Sequence, residues 1–185
     1  MQCNVACPLF FIEMFVTHYN SPLGDITLLG TERGLSGLCY PLTQKPIANV
    51  FTEGSKPHPL REAEEWLNRY FSGEIPNFLP AIDIHGTPFQ RLVWSMLQDV
   101  SYGETITYGE MAKAVADRLG MKRMSAQAVG RAVGANPVPI LLPCHRVVGR
   151  RGRLVGYAGG VNLKRFLLDW EQQCKGQGFL CGNVW

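Results

Sequence analysis

The stretch TPFQRLVWSMLQDVSYGETITYGEMAKAVADRLG, residues 87–120, decides the architecture of this chain. It opens with Thr87 in an N-cap position, Pro88 at the first helical position and Gln90 three residues after the threonine. In that pattern a hydroxyl and an amide side chain satisfy each other's backbone N–H groups at a helix start. Phe89, Val93, Met96 and Val100 follow at helical spacing and predict a buried stripe over 88–100. After a turn at Tyr102 and Gly103, Thr107 and Glu110 repeat the box, Met111, Val115 and Leu119 repeat the stripe, and Gly120 ends it. Two capped amphipathic helices in succession predict a helical second half.

Downstream, Ser125 caps a third helix, AQAVGRAVGA (126–135), which Pro137 terminates. Joined by about five residues, the second and third helices have the spacing of a helix-turn-helix. The third helix is nearly bare along one edge, where Ala126, Gly130 and Gly134 recur every four residues. Glycine costs about 1 kcal/mol against alanine in a helix, so the edge serves either close packing of another helix or close approach to a nucleic acid groove. A bare edge reads few bases, so binding through it is weakly sequence-specific. A last helix, VNLKRFLLDWEQQC (161–174), points Leu163, Phe166, Leu167 and Trp170 inward.

Upstream the period changes. MFVTHY, ITLLG and LSGLCY read as strands separated by turns at 21–25 and 32–34. Residues 41–58 read as a loop, HPLREAEEWLNRYFSG (58–73) as a helix with Leu60, Ala63, Leu67 and Tyr70 buried, and 74–86 as a proline-broken extended stretch. The fold class is thus α/β plus α. A small α/β domain over 14–86 precedes a helical domain over 87–174, with an N-terminal extension at 1–13 and a tail at 175–185.

The formal net charge of +3 hides an asymmetry. Between Arg118 and Leu168 stand ten Lys or Arg residues and no Asp or Glu, while the remainder holds eight cations against 15 acids. Such a block is either a solvated basic surface or the footprint of a polyanion-binding face. The six cysteines include no C-x-x-C pair, and Cys3 and Cys7 have no matching pair at zinc-finger spacing. No basic leader or transmembrane stretch is present, so a reducing cytoplasm with free thiols is expected.

Inside the basic block lies PVPILLPCHRVVGRRGRLVGYAGG, residues 137–160. Cationic neighbours lower a thiol's pKa, and His145, Arg146, Arg150, Arg151 and Arg153 all follow Cys144. Adjacent residues on an extended chain point apart. His145 therefore reaches Cys144 only through a bend, which Pro143 favours, or through a bridging water.

NPVPILLPCHRVVG (136–149) followed by GYAGGVNLKRFLLDWE (156–171), with SPLGDITL (21–28) and YGETITYGEMA (102–112) upstream, strongly resembles the methylated-DNA–protein-cysteine methyltransferases, the O6-alkylguanine-DNA alkyltransferases. The resemblance implies a ribonuclease-H-like N-terminal α/β domain and a helical DNA-binding domain containing a helix-turn-helix. It implies direct-reversal repair, in which a flipped O6-methylguanine, or O4-methylthymine, gives its methyl group irreversibly to Cys144. His145 would be the base acting through water, and Glu171 would polarise it. Tyr108 would help rotate the nucleotide, and Asn136 would brace the turns around the thiol. Tyr108, Val147, Val148, Tyr157, Ala158 and Gly159 would form the alkylguanine pocket. Ala126, Gln127, Ala128, Gly130, Arg123 and Arg131 would face DNA. No cofactor and no metal are implied. The expected partner is double-stranded DNA carrying O6-alkylguanine, the expected state a monomer, and the expected location the cytoplasm, at the nucleoid.

One departure stands out. Many members have arginine where this chain has Gln127, the residue that fills the stack once the base has flipped. Two rival readings are a non-transferring binder of alkylated DNA, in which tryptophan replaces the acceptor cysteine, and a cysteine hydrolase. Cys144 argues against the first, and the absence of a recognisable oxyanion hole argues against the second.

Overall fold

The computed structural model describes residues 14–41 and 56–177. The extension at 1–13 with Cys3 and Cys7, most of the expected 41–58 loop, and residues 178–185 of the tail lie outside the described residues.

Strands β1 (Phe15–Ser21), β2 (Gly24–Thr31) and β3 (Gly34–Cys39) form an antiparallel sheet in that order. The hairpins are tight: Ser21 pairs with Gly24 and Thr31 with Gly34. Gly24 takes φ +89° at the first corner, a left-handed angle that glycine adopts without steric cost. Helix α1 (His58–Phe71) packs on β2 and β3, burying Leu60, Ala63, Leu67 and Tyr70 as the spacing predicts, together with Trp66 and Phe71. The approach is close: a Cβ at Gly30 would fall 2.9 Å from a Leu60 methyl. The extended stretch after α1 returns to the sheet at Ile82, where the Leu35 N–H donates to the Ala81 carbonyl at 2.8 Å.

The helical half begins with α2 (Pro88–Leu97), whose Thr87–Gln90 box forms in both directions. This helix ends short of the expected residue 100, although Val100 remains buried. Trp94, outside the predicted stripe, is buried and its indole N–H donates to the Ala132 carbonyl at 2.8 Å. Strand β4 (Ile106–Thr107) pairs in parallel with β5 (Val147–Val148), a contact the sequence does not announce. Helix α3 (Tyr108–Arg118) carries the second capping box, and residues 119–125 lead to α4 (Ala126–Gly134), capped by Ser125. Leu119 is not part of the stripe. The helix stops at Arg118, leaving Leu119 as its C-cap and 45 % exposed. Helix α4 packs against α2 and α3. Helix α5 (Val161–Gln177) runs beyond the expected residue 174, with Leu167 and Trp170 in the core and Leu163 and Phe166 half-buried.

The two halves share a continuous core. The Leu38 N–H donates to the Pro137 carbonyl at 2.8 Å, and the Trp170 indole donates to the Tyr70 carbonyl at 3.0 Å. The sheet is thereby fixed to the segment that carries Cys144.

Candidate active site

The bend expected at Pro143 is present. Residues Cys144–Arg146 form a single 3-10 turn. The Cys144 N–H reaches the Leu142 carbonyl at 2.7 Å and the Arg146 N–H the Pro143 carbonyl at 3.0 Å. Asn136, which is buried, ties this segment together: its amide donates to the Leu142 carbonyl at 2.7 Å and its oxygen accepts from the Val138 N–H at 3.0 Å. Between these bonds Ile140 takes φ +73°. A β-branched residue there is strained, at a cost on the order of 1–3 kcal/mol, and the asparagine clamps both flanks of it.

The two residues after the thiol, His145 and Arg146, enter a buried polar cluster centred on Glu171, which is fully enclosed. Its Oε1 accepts from Tyr70 Oη at 2.9 Å, His145 Nε2 at 2.7 Å and Arg146 Nη2 at 2.9 Å. Its Oε2 accepts from the Gly103 N–H at 3.0 Å and Arg146 Nε at 2.9 Å. Burial alone would raise the carboxyl's pKa, but His145 and Arg146 outweigh it and hold the group at about 2. His145 is also fully enclosed, and burial lowers its pKa against the pull of Glu171. At neutral pH the pair is therefore a carboxylate beside a neutral imidazole. The short contact then requires that Nε2 carry the proton, which leaves Nδ1 with its lone pair. Nδ1 is buried and has no hydrogen-bond partner among the described residues. That is the electronic state of a general base.

Burial pushes the Cys144 thiol up to about 11, against the opposing pull of the Asn136 side chain and the Lys164 charge. Lys164 is itself fully buried, with Nζ donating to the carbonyls of Val147 at 2.6 Å and Val155 at 3.0 Å and lying 5.7 Å from the centre of the Tyr108 ring.

Cys144 lines a cleft of about 20 Å³ with Tyr108, Asn136, Tyr157 and Ala158, joined by Val133, Gly134 and Gly156. Val147 and Val148 lie instead in β5 within the core, and Gly159 packs on Tyr40 rather than lining the cleft. Of the residues expected to face DNA, Arg123, Ala126, Gln127 and Arg131 are exposed, and Ala128 and Gly130 half-buried. Along the bare edge of α4 a Cβ at Gly134 would meet nothing within 4 Å, while one at Gly130 would meet only the ring of Tyr108, the first residue of α3, at 3.7 Å. Among the described residues no group of three or more His, Cys, Asp or Glu is arranged to hold a metal.

The family model described as "6-O-methylguanine DNA methyltransferase, DNA binding domain" matches residues 88–173, and the one described as the "ribonuclease-like domain" of the same enzymes matches residues 14–83. A methylated-DNA–protein-cysteine methyltransferase of Methanosarcina acetivorans is 39 % identical over 161 residues, covering 87 % of this chain and all of that one. The chain belongs to the 6-O-methylguanine DNA methyltransferase family. A Mycobacterium tuberculosis relative of the same name is 42 % identical over 159 residues, covering 84 % of this chain and 92 % of its own. Among solved structures, a variant of the M. tuberculosis O6-methylguanine methyltransferase superposes with TM-score 0.73 at 39 % identity, covering 86 % of this chain and 93 % of that one. The M. tuberculosis OGT in complex with DNA gives TM-score 0.72 at 38 % identity, covering 87 % and 93 %.

In this 6-O-methylguanine DNA methyltransferase chain, sequence reasoning misses three residues of the site. Tyr70 reads as one more member of a helical stripe, yet its hydroxyl is spent on Glu171. Arg146 reads as one cation among ten, yet it is buried and clasps the carboxylate through two nitrogens. Lys164 is placed by helical period on the inward side of α5 beside Leu167, the one signal that could have marked it.

Proposed function

We propose that this protein is a methylated-DNA–protein-cysteine methyltransferase, which moves the alkyl group of O6-methylguanine in duplex DNA onto Cys144 once per molecule. The observation that carries the reading is a buried thiol in a cleft, followed in sequence by a neutral histidine hydrogen-bonded to an ionised glutamate. In the reaction Sγ attacks the methyl carbon and a C–S bond forms as the O6–C bond breaks. The thiol proton, taken up by His145 through a bridging water, ends on the departing guanine. Glu171 holds the imidazole in its useful tautomer. Thioether formation is irreversible under cellular conditions, so each molecule is spent. O4-methylthymine carries its methyl group on the corresponding exocyclic oxygen and follows the same route, with thymine as the departing base.

Helices α3 and α4 act as a helix-turn-helix, with residues 14–86 and 87–174 as the two domains. Ala126, Ala128 and Gly130 lie against the groove, and Arg123 and Arg131 neutralise phosphates. Gln127, exposed on the first turn of α4, enters the stack as the base leaves it. Its amide hydrogen-bonds the orphaned partner without the charge an arginine would add. Tyr108 and Tyr157 flank the flipped purine, and Asn136 keeps the thiol in register. The protein acts as a monomer on DNA in a reducing cytoplasm and needs no cofactor.

Titrating the protein with an excess of O6-methylguanine duplex tests the reading. Repaired lesions should plateau at one per protein molecule, and Cys144→Ala should bind the duplex without repairing it. Continued turnover, or repair by the alanine variant, would contradict it.

A further inference from the structure

The cleft at Cys144, about 20 Å³, has room for little more than one water, which needs about 10–15 Å³ on that measure. An alkylated purine is far larger, so a wall must move outward to admit it. Most of the lining is fixed: Tyr108 belongs to α3, Val133 and Gly134 to α4, and Asn136 and Cys144 to the clamped segment. The remaining side, residues 156–158, belongs to the loop between β5 and α5. Gly156 at φ +49° and Gly160 at φ +87° bracket its tip.

Lys164 of α5 holds the start of this loop, with Nζ 3.0 Å from the Val155 carbonyl and 3.4 Å from that of Gly156, and the tip is held from outside the helical half. Tyr40, at the end of β3 and only 2 % exposed, has its hydroxyl 2.7 Å from that of Tyr157. The two ring centres stand 6.0 Å apart. Two residues further on, a Cβ at Gly159 would come within 3.0 Å of the Tyr40 ring, so the loop lies directly against that side chain. Tyr157 in turn stands edge-on to His145 at 6.4 Å. Movement of the wall therefore has to stretch or break the bond between the two phenols. We infer that Tyr40, a residue of the ribonuclease-like half, is a positioning residue that limits how far the 156–160 wall opens and so selects which alkyl groups reach Cys144. The inference rests on the alkyl-transfer reading above.

The test compares the full-length protein with Tyr40→Phe, Tyr157→Phe and the double variant. For each, the rate of Cys144 alkylation by free O6-methylguanine and by free O6-benzylguanine is measured, with the thermal midpoint recorded alongside. Tyr40→Phe should raise the benzyl-to-methyl rate ratio about fivefold, the scale of one neutral hydrogen bond. Tyr157→Phe should raise it equally. The double variant should add nothing further, because both hydroxyls serve one bond. A ratio that stays constant while both rates fall with the thermal midpoint would make Tyr40 a merely structural residue and overturn the inference, as would additive effects in the double variant. A parent protein that neither these bases nor O6-methylguanine duplex alkylates at Cys144 would overturn the transfer reading itself, and that outcome is visible before any variant is made.

Discussion

At the scale of single residues, the site combines a protonated thiol with a buried pair of neutral imidazole and carboxylate. The thiolate is the reactive form, and burial holds the Cys144 pKa at about 11. In the DNA-free protein, labelling of Cys144 by iodoacetamide should therefore climb about tenfold per pH unit through the neutral range, because only the thiolate reacts. No plateau should appear below pH 10. A plateau near pH 6 would mean a preformed thiolate and would remove the need for His145 as base. Glu171 carries the opposite perturbation. Its folded-state value of about 2 lies below the ordinary carboxylate value, so the unfolded chain takes up the proton first. Its stabilising contribution is present above the ordinary value and is lost as pH falls towards 2. Glu171→Gln leaves Arg146 buried without its counter-charge and should lower stability at neutral pH by about 3–5 kcal/mol. Thermal unfolding should show that deficit narrowing as the pH falls from about 5 to about 2, since the parent loses over that range what the variant lacks throughout. A deficit constant across that range would contradict the assignment. The same variant should also slow methyl transfer.

At the scale of elements, α4 is the helix whose sequence conflicts with its local stability. Gly130 has room for a side chain, meeting only the Tyr108 ring at ordinary contact distance. Gly130→Ala should therefore raise stability by about 1 kcal/mol while weakening duplex binding, measurable as a higher thermal midpoint with a larger Kd. Gains in both would show that the edge does not approach DNA. The helix starts were legible because capping boxes at Thr87 and Thr107 are local chemistry, written within four residues. So were the bend at Cys144 and the His145–Glu171 contact, once the P-C-H-R-V run was matched to the loop and helix downstream. Leu119 misled because helical period continues past the point where the helix itself stops. The β4–β5 pairing joins strands of two residues each, too short to show any alternation. Tyr70, Arg146 and Tyr40 escaped because their meaning lies in partners 101, 25 and 117 positions away, and nothing local distinguishes a core tyrosine from one that donates to a carboxylate.

Across the whole molecule, the sheet domain supports the chemistry of the helical one. It supplies Tyr70 to Glu171, Tyr40 to Tyr157 and Leu38 to the segment before Cys144. No helix among the described residues is long and apolar enough to cross a membrane, and the ten cations between Arg118 and Leu168 face no acid within their own segment. Duplex affinity should therefore fall steeply with salt, the slope of log affinity against log salt being about −0.9 for each phosphate contacted. A slope near zero would remove the basic segment from the interface. The central claim is that Cys144 is the final resting place of the methyl group. Mass analysis of the intact protein and of its peptides after exposure to O6-methylguanine duplex tests it most directly. The account predicts a gain of one methyl group, confined to the peptide containing Cys144, in step with the lesions lost. An unmodified protein in a reaction that has consumed lesions, or a methyl group on Cys39 or Cys174 instead, would contradict it.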